Sequence, residues 1–260
     1  MERLRYVARS GGGDPSSVVG DTVEALRSLA PGPGELVSVC RNLVDRAITC
    51  GPLWWLCSHL LANPDALATA WDLADVIADD PTADRLAEAL PTDATVVTIG
   101  NPPTTAVALC RRGDLLVLAV DAGHATNGLV RRLDRSDVES TIVAPEAMLS
   151  AIRRADFVLV EADACSSDLV VATTGSGLAA IAAAHLGVPV WLVVGRGRRL
   201  PGRYVEVIAA RCEDDVESLP VGLVASVAGP NGVRPLDAGL LASECPLAPE
   251  LIPNSSGDEP

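Results

Sequence analysis

Residues 94–120 read ATVVTIGNPPTTAVALCRRGDLLVLAV. Two short β-branched runs, ATVVTI and LLVLAV, flank a segment near Thr104 to Arg111 with helical character, and the first run ends in a polar turn, Gly100-Asn101-Pro102-Pro103. Runs this apolar and this short predict strands covered on both faces, because a strand with one wet face would alternate apolar and polar residues. The alternation continues through TIVAP at 141–145, a helix over Glu146 to Arg154, FVLVEA at 157–162, a helix over Ser176 to Leu186, and VPVWLVV at 188–194.

Strands alternating with helices in this way predict an α/β fold, a mostly parallel, doubly wound Rossmann-like sheet over residues 92–260. Toward the N-terminus the period changes. Val23, Leu26 and Leu29, then Leu36, Val39 and Leu43, recur at helical spacing, so residues 1–91 are expected to form a helical N-terminal domain. Asn63-Pro64-Asp65 and Asp80-Pro81-Thr82 mark breaks between helices, with Asn or Asp placed to cap the helix that follows. Leu90-Pro91-Thr92-Asp93 closes the helical part, and Pro230-Asn231-Gly232 marks a turn in the tail.

Composition narrows the chemistry. The 260-residue chain carries a net charge of -14, which makes a nucleic-acid backbone a poor partner, since that affinity comes from cations neutralising phosphates. All 20 basic residues are arginine, so no Schiff base, lysine general base or P-loop lysine exists. The seven cysteines are odd in number, contain no CxxC pair and sit mostly in apolar stretches, the pattern of reduced buried thiols; neither disulfides nor a metal site is expected. No apolar run is long enough for a membrane span, and Met1 to Ser10 holds three arginines without the apolar centre of a signal peptide, so a cytoplasmic location is expected.

Ligands of doubly wound sheets bind at the carboxyl ends of the strands. Those ends are expected to gather the loop with Asn101 and Thr104, the loop Asp121-Ala122-Gly123-His124, the loop Glu161 to Ser166 with Asp163 and Cys165, and the arginine cluster with Arg196 and Arg198. Thr173-Thr174-Gly175-Ser176-Gly177 opens a helix, where free N–H groups and the helix dipole can cradle a phosphate. Each has a plainer reading: hydroxyls before a helix cap it, His124 is an exposed loop histidine, and Cys165 is a packed thiol. Asp163 stands out because a carboxylate at the end of a buried strand costs desolvation. With no lysine to supply the cation beside a bound phosphate, Arg196 or Arg198 is expected there.

The order of these parts resembles the family of methylthioribose-1-phosphate isomerase, ribose-1,5-bisphosphate isomerase and the alpha, beta and delta subunits of translation initiation factor 2B. The likeness runs from about Ile48 to Pro253. It comprises a helical segment, a Thr-x-x-Asn strand end at Thr98–Asn101, a strand ending in Asp121, Glu161-Ala162-Asp163 followed by a Gly-rich helix start, Gly187-Val188-Pro189-Val190, and the closing Cys245-Pro246-Leu247-Ala248-Pro249-Glu250-Leu251. The resemblance implies a phosphorylated sugar or nucleotide as ligand, no cofactor, and assembly as a homodimer or with a related subunit through the α/β domain. The apolar tail from Leu219 reads as the covered surface for that assembly.

The family's isomerases are similar in using a cysteine in a Thr-His-Cys-Asn type loop and an aspartate in a Gly-Ala-Asp loop. Asp163 fills the aspartate position, but Gly100 stands where the thiol belongs, and the family's Asn-Lys pair falls near Ala172, Thr173 and Thr174. The leading expectation is therefore a ligand-binding relative without standard isomerase chemistry, serving as a regulatory or structural subunit. The alternative is an aldose–ketose phosphate isomerase in which Asp163 works with Cys165 or His124. A Rossmann dehydrogenase is disfavoured, because no GxGxxG opens a helix after the first strand.

Overall fold

The computed structural model describes residues 14–122, 126–211, 216–237 and 239–252. Among the described residues five helices come first: α1 (Pro15–Leu29), α2 (Pro33–Arg46), α3 (Gly51–Ala62), α4 (Ala66–Ala78) and α5 (Thr82–Ala89). Proline sits in the first turn of α1, α2 and α3, where its missing N–H costs no helical bond. Asp80 Oδ1 accepts from the N–H and the hydroxyl of Thr82 across the break before α5, whose N-cap position is Pro81, so Asp80 does not cap the helix itself. Asp65 makes no such bond. Asn63 takes the polar work at that break, accepting from the Asp65 N–H at 2.9 Å and donating to Thr69 Oγ1.

Helices stop at Ala89 and β1 (Thr95–Ile99) begins. The α/β part continues with α6 (Pro103–Leu109), β2 (Leu116–Val120), α7 (Thr126–Asp134), β3 (Glu139–Val143), α8 (Met148–Ile152), β4 (Phe157–Cys165), β5 (Leu169–Thr173), α9 (Ser176–Leu186), β6 (Val190–Val193), α10 (Gly202–Arg211), β7 (Val216–Pro220), β8 (Ser226–Gly229) and β9 (Gly232–Pro235). Strands β3-β2-β1-β4-β6-β8 pair in that order, all parallel, and β9 closes the edge antiparallel to β8. Counting the parallel strands alone, the order is 3-2-1-4-5-6, that of dinucleotide-binding sheets, with its reversal between β1 and β4. Gly232, at φ +94, makes the turn from β8 to β9 in the left-handed region that side chains disfavour.

The sequence reading ends the fourth strand at Ala162 and places a loop at Glu161–Ser166. Instead, β4 runs on to Cys165, because its distal half finds a new partner: β5 pairs with it antiparallel and β7 pairs with β5. The register shifts between Ala162 and Ala164, leaving Asp163 as the extra residue of a β-bulge. Ala162 consequently packs in the core on one face of the sheet and Ala164 in the core with the helices.

The helical core is shared across the change of secondary structure at Pro91. Leu53, Trp54, Leu56 and Leu60 of α3 pack with Ala164, Val171, Leu200, Tyr204 and Ile208, and the Trp54 ring lies 5.1 Å from that of Tyr204. Gly51 is required at the start of α3, since a methyl there would collide with the Asp163 carbonyl oxygen. The tail from Leu219 is covered by the chain itself. Leu219, Val221, Val224 and Val227 join the core under α9, and Ala248 and Leu251 join the core of the helices. Among the described residues of the tail, Leu247 remains 41% exposed.

Candidate functional site

The strand ends of β1 and β4 bring together the loop after β1, the bulge at Asp163 and the segment after β6. Their centre is an ion pair. Glu161 Oε1 meets Arg198 Nη2 at 2.8 Å, with the two side chains only 3% and 4% exposed. Glu161 also accepts from the N–H groups of Thr104, at 3.1 Å, and Thr105, at 2.7 Å, and from the Thr105 hydroxyl at 2.8 Å. A carboxylate of the chain thus occupies the start of α6, where the first helix of such a sheet presents its N–H groups to anions. Arg198 is spent in the same network: it donates to the Ala162 carbonyl and, at 3.1 Å, to Thr104 Oγ1. Burial opposes its charge, yet the Glu161 and Asp163 carboxylates hold its affinity for the proton above the ordinary arginine value.

Asp163 lies beside this pair. Burial pushes its carboxyl from 3.8 up to about 7; Arg198 pulls in the opposite direction, and Glu161 adds a like-charge push. The bulge leaves Asp163 with no partner in the β4–β5 register, next to the start of α3. Cys50, the residue before α3, feels the same surroundings: burial raises its thiol to about 11.

Cys165 is a packed thiol. It is fully buried in the core under α9, its backbone bonds to Arg198 and Leu200, and burial raises the thiol to about 12. A thiol so protonated is a poor nucleophile at neutral pH. Gly100 has φ +67, and a Cβ there would sit 3.3 Å from Thr173 Cγ2. The backbone at the family's thiol position thus adopts a conformation that favours glycine.

Thr173 ends β5 and lies against Gly100. Gly175, at φ +97, precedes α9, and Ser176 is buried at its first position. Here too a carboxylate of the chain is in place: the Gly177 N–H donates to Glu217 Oε1 of β7. Arg196 and Arg198 bond elsewhere. The Arg196 backbone N–H donates to Asp80 Oδ2 at 2.9 Å and its side chain to the Val76 carbonyl, both on the helical side of the cleft, while Arg198 serves the start of α6. The expected arginine beside Thr173–Gly177 is replaced by Glu217.

Asn101 faces the first turn of α7, with Nδ2 3.0 Å from where a Gly128 Cβ would stand, and its Oδ1 is buried without a hydrogen-bond partner. Thr98 Oγ1, fully buried in β1, likewise has no partner. Asp121 follows β2 directly, its N–H bonded to the Val143 carbonyl at 2.9 Å, and Thr174 is exposed before α9. His124 lies outside the described residues. Sequence reasoning placed Glu161 in a strand-end loop without giving it a role, and missed Glu217 and Asp80 as parts of the site. For Glu161 a signal existed, a carboxylate inside the apolar run FVLVEA; for Glu217 none did, since its strand depends on pairing with β5.

No family model matches the chain, and no curated protein matches it. Solved structures do. The chain is similar to the translation initiation factor eIF-2B of Pyrococcus horikoshii OT3, at 16% identity and a TM-score of 0.73, over 89% of this chain and 95% of that one. It is similar to a subunit of the tetrameric eIF2B-beta2-delta2 complex from C. thermophilum, at 14% identity and a TM-score of 0.73, over 90% of this chain and 89% of that one. The eIF2B delta structure from Chaetomium thermophilum gives 14% identity and a TM-score of 0.65, over 87% and 96%. At these identities the likeness is one of fold, and the fold is that of eIF2B subunits, as the order of motifs suggests. Among the described residues no helix is long and apolar enough to cross a membrane.

Proposed function

We propose that the chain is an eIF2B-like regulatory or structural subunit without isomerase chemistry, paired with a second copy or a related subunit. The buried Glu161–Arg198 pair carries this reading. It commits Arg198 and the N–H groups of Thr104 and Thr105 to an internal carboxylate, so none of these is free to hold a substrate phosphate. Gly100 supplies no thiol, and the buried thiol of Cys165 is held at about 12, so Asp163 has no acid–base partner among the described cysteines. Such a partner typically contributes about 10² to 10⁴ in rate. Incubation with ribose 1,5-bisphosphate or methylthioribose 1-phosphate, followed by NMR, should give no ketose. Turnover that Asp163→Asn abolishes would overturn the reading.

A second reading has its own support. Thr98 Oγ1 and Asn101 Oδ1 are buried at the end of β1 without partners, and buried polar atoms are ordinarily satisfied by protein, water or ligand. A small phosphorylated ligand whose hydroxyls serve these two atoms, beside Thr173, keeps the binding role without the chemistry. Calorimetry with ribose phosphates and nucleoside monophosphates separates the two: heat that Asn101→Ala removes supports the bound ligand, and its absence supports the purely structural subunit.

A further inference from the structure

Three glycines lie where the helices and the α/β part meet with no room for a methyl group. A Cβ on Gly51 would collide with the Asp163 carbonyl oxygen, one on Gly195 with the Asp80 carboxylate, and one on Gly197 would lie 2.8 Å from Ile77 Cδ1 and 2.9 Å from Pro52 Cα. The loop 195–198 after β6 is thereby wedged between the start of α3 and the end of α4. Arg196 fastens it there, its N–H donating to Asp80 Oδ2 at 2.9 Å and its side chain to the Val76 carbonyl at 3.1 Å. Contacts this close exist only while the two parts are pressed together.

Behind this loop lies a cluster whose charges balance in one protonation state only. It holds one guanidinium, Arg198, and two carboxyl groups, Glu161 and Asp163. Glu161 is bonded to Arg198, to two backbone N–H groups and to a hydroxyl, so Asp163 is left without a guanidinium of its own. With Asp163 protonated the cluster is neutral; with Asp163 ionised one negative charge is stranded among buried groups, which is costly. The neighbouring ionisable groups do not cancel it. Burial holds the Cys50 thiol protonated up to about 11, and Asp80, which acts on Arg198 from the helical side, and Asp14, which acts on Cys50, carry the same sign as Asp163.

We propose that the contact between the loop 195–198 and the helices is a pH-sensitive clasp, closed while Asp163 is protonated and loosened when Asp163 ionises. Gly51 lies directly on the Asp163 carbonyl, so a movement that admits water to the stranded charge separates the start of α3 from β4. Because the closed arrangement raises the Asp163 carboxyl from 3.8 to about 7, closure is favoured at lower pH and lost as pH rises through that higher value. The apolar core that Trp54 shares with Tyr204 and Ile208 contains no ionised group, so the loosening stays local. The device requires neither a ligand nor a second subunit.

Amide hydrogen exchange of the full chain, read by mass spectrometry at pH 6 and pH 8 in wild type and in Asp163→Asn, tests the clasp. Comparing the two proteins at one pH cancels the intrinsic rise of exchange with pH. At pH 6 they should match. At pH 8, one unit above the Asp163 value, segments 46–54 and 194–200 of wild type should exchange about 10-fold faster than those of the variant, while β2 exchanges alike in both. Should the variant not fold, wild type decides alone: exchange in the two segments, divided by that of β2, should step upward between pH 6 and 8 with a midpoint near 7. Equal exchange in the two proteins at pH 8, no such step in wild type, or an acceleration that spreads equally to β2 overturns the clasp.

Discussion

Removing Glu161 should destabilise the protein more than its single side chain suggests. Glu161→Ala breaks four hydrogen bonds, to Thr104, Thr105 twice and Arg198, and leaves a nearly inaccessible guanidinium without its closest counter-charge. Breaking a buried pair from one side costs about 3–5 kcal/mol, and Asp163, still close to Arg198, keeps the loss near the lower end, at about 3 kcal/mol. For a chain of this size each kcal/mol moves Tm by roughly 2–4 °C, so a fall of about 6–12 °C is expected. The comparison that isolates the ion pair is Glu161→Leu with Arg198→Met. Replacing both partners by apolar groups removes the unpaired charge and should bring stability back to within about 1–2 kcal/mol of wild type, the remainder being the uncapped start of α6. Urea unfolding followed by the fluorescence of buried Trp54 and Trp55 reads the difference. A single variant within about 1 kcal/mol of wild type, or a double variant no more stable than the single, would refute the view that an unpaired buried guanidinium is what Glu161→Ala exposes.

Two further outcomes follow from the same cleft. Because Asp163 is raised from 3.8 to about 7 in the folded protein, the native state binds more protons than the unfolded chain between those values; its contribution is most favourable at low pH and is lost as pH rises toward 7. Urea midpoints measured from pH 4 to 8 should therefore show a component falling with pH that Asp163→Asn removes; identical profiles would count against it. Restoring the family's thiol by Gly100→Cys should yield no isomerase activity toward ribose 1,5-bisphosphate and should lower stability by about 1–2 kcal/mol, since the side chain must adopt φ +67; a stable, active variant would show that only the thiol was missing.

Much of the architecture was legible because it rests on local patterns. The runs around Val97, Leu118, Leu159 and Leu192 are too apolar for a half-wet strand and too short for a helix, and the helical period up to Leu90 ends at a proline, so helices followed by a parallel α/β sheet could be read from the order of residues alone. Gly100 in place of a thiol and the absence of lysine were equally plain. What the sequence could not convey was which partner each polar group would find. Arg198 looked free to bind phosphate beside Thr173–Gly177; only the return of the chain after β6 to the end of β4 places it on Glu161 instead. Glu217 caps α9 because β7 adds to β5, a pairing between residues more than forty positions apart that no local pattern encodes. Asp163 reads as a loop residue until the antiparallel β5 extends β4 and makes it a bulge. Periodicity is written residue by residue, so sequence determines it; a charge is satisfied by whatever the finished sheet brings within about 3 Å, and that distance is decided only by the tertiary structure.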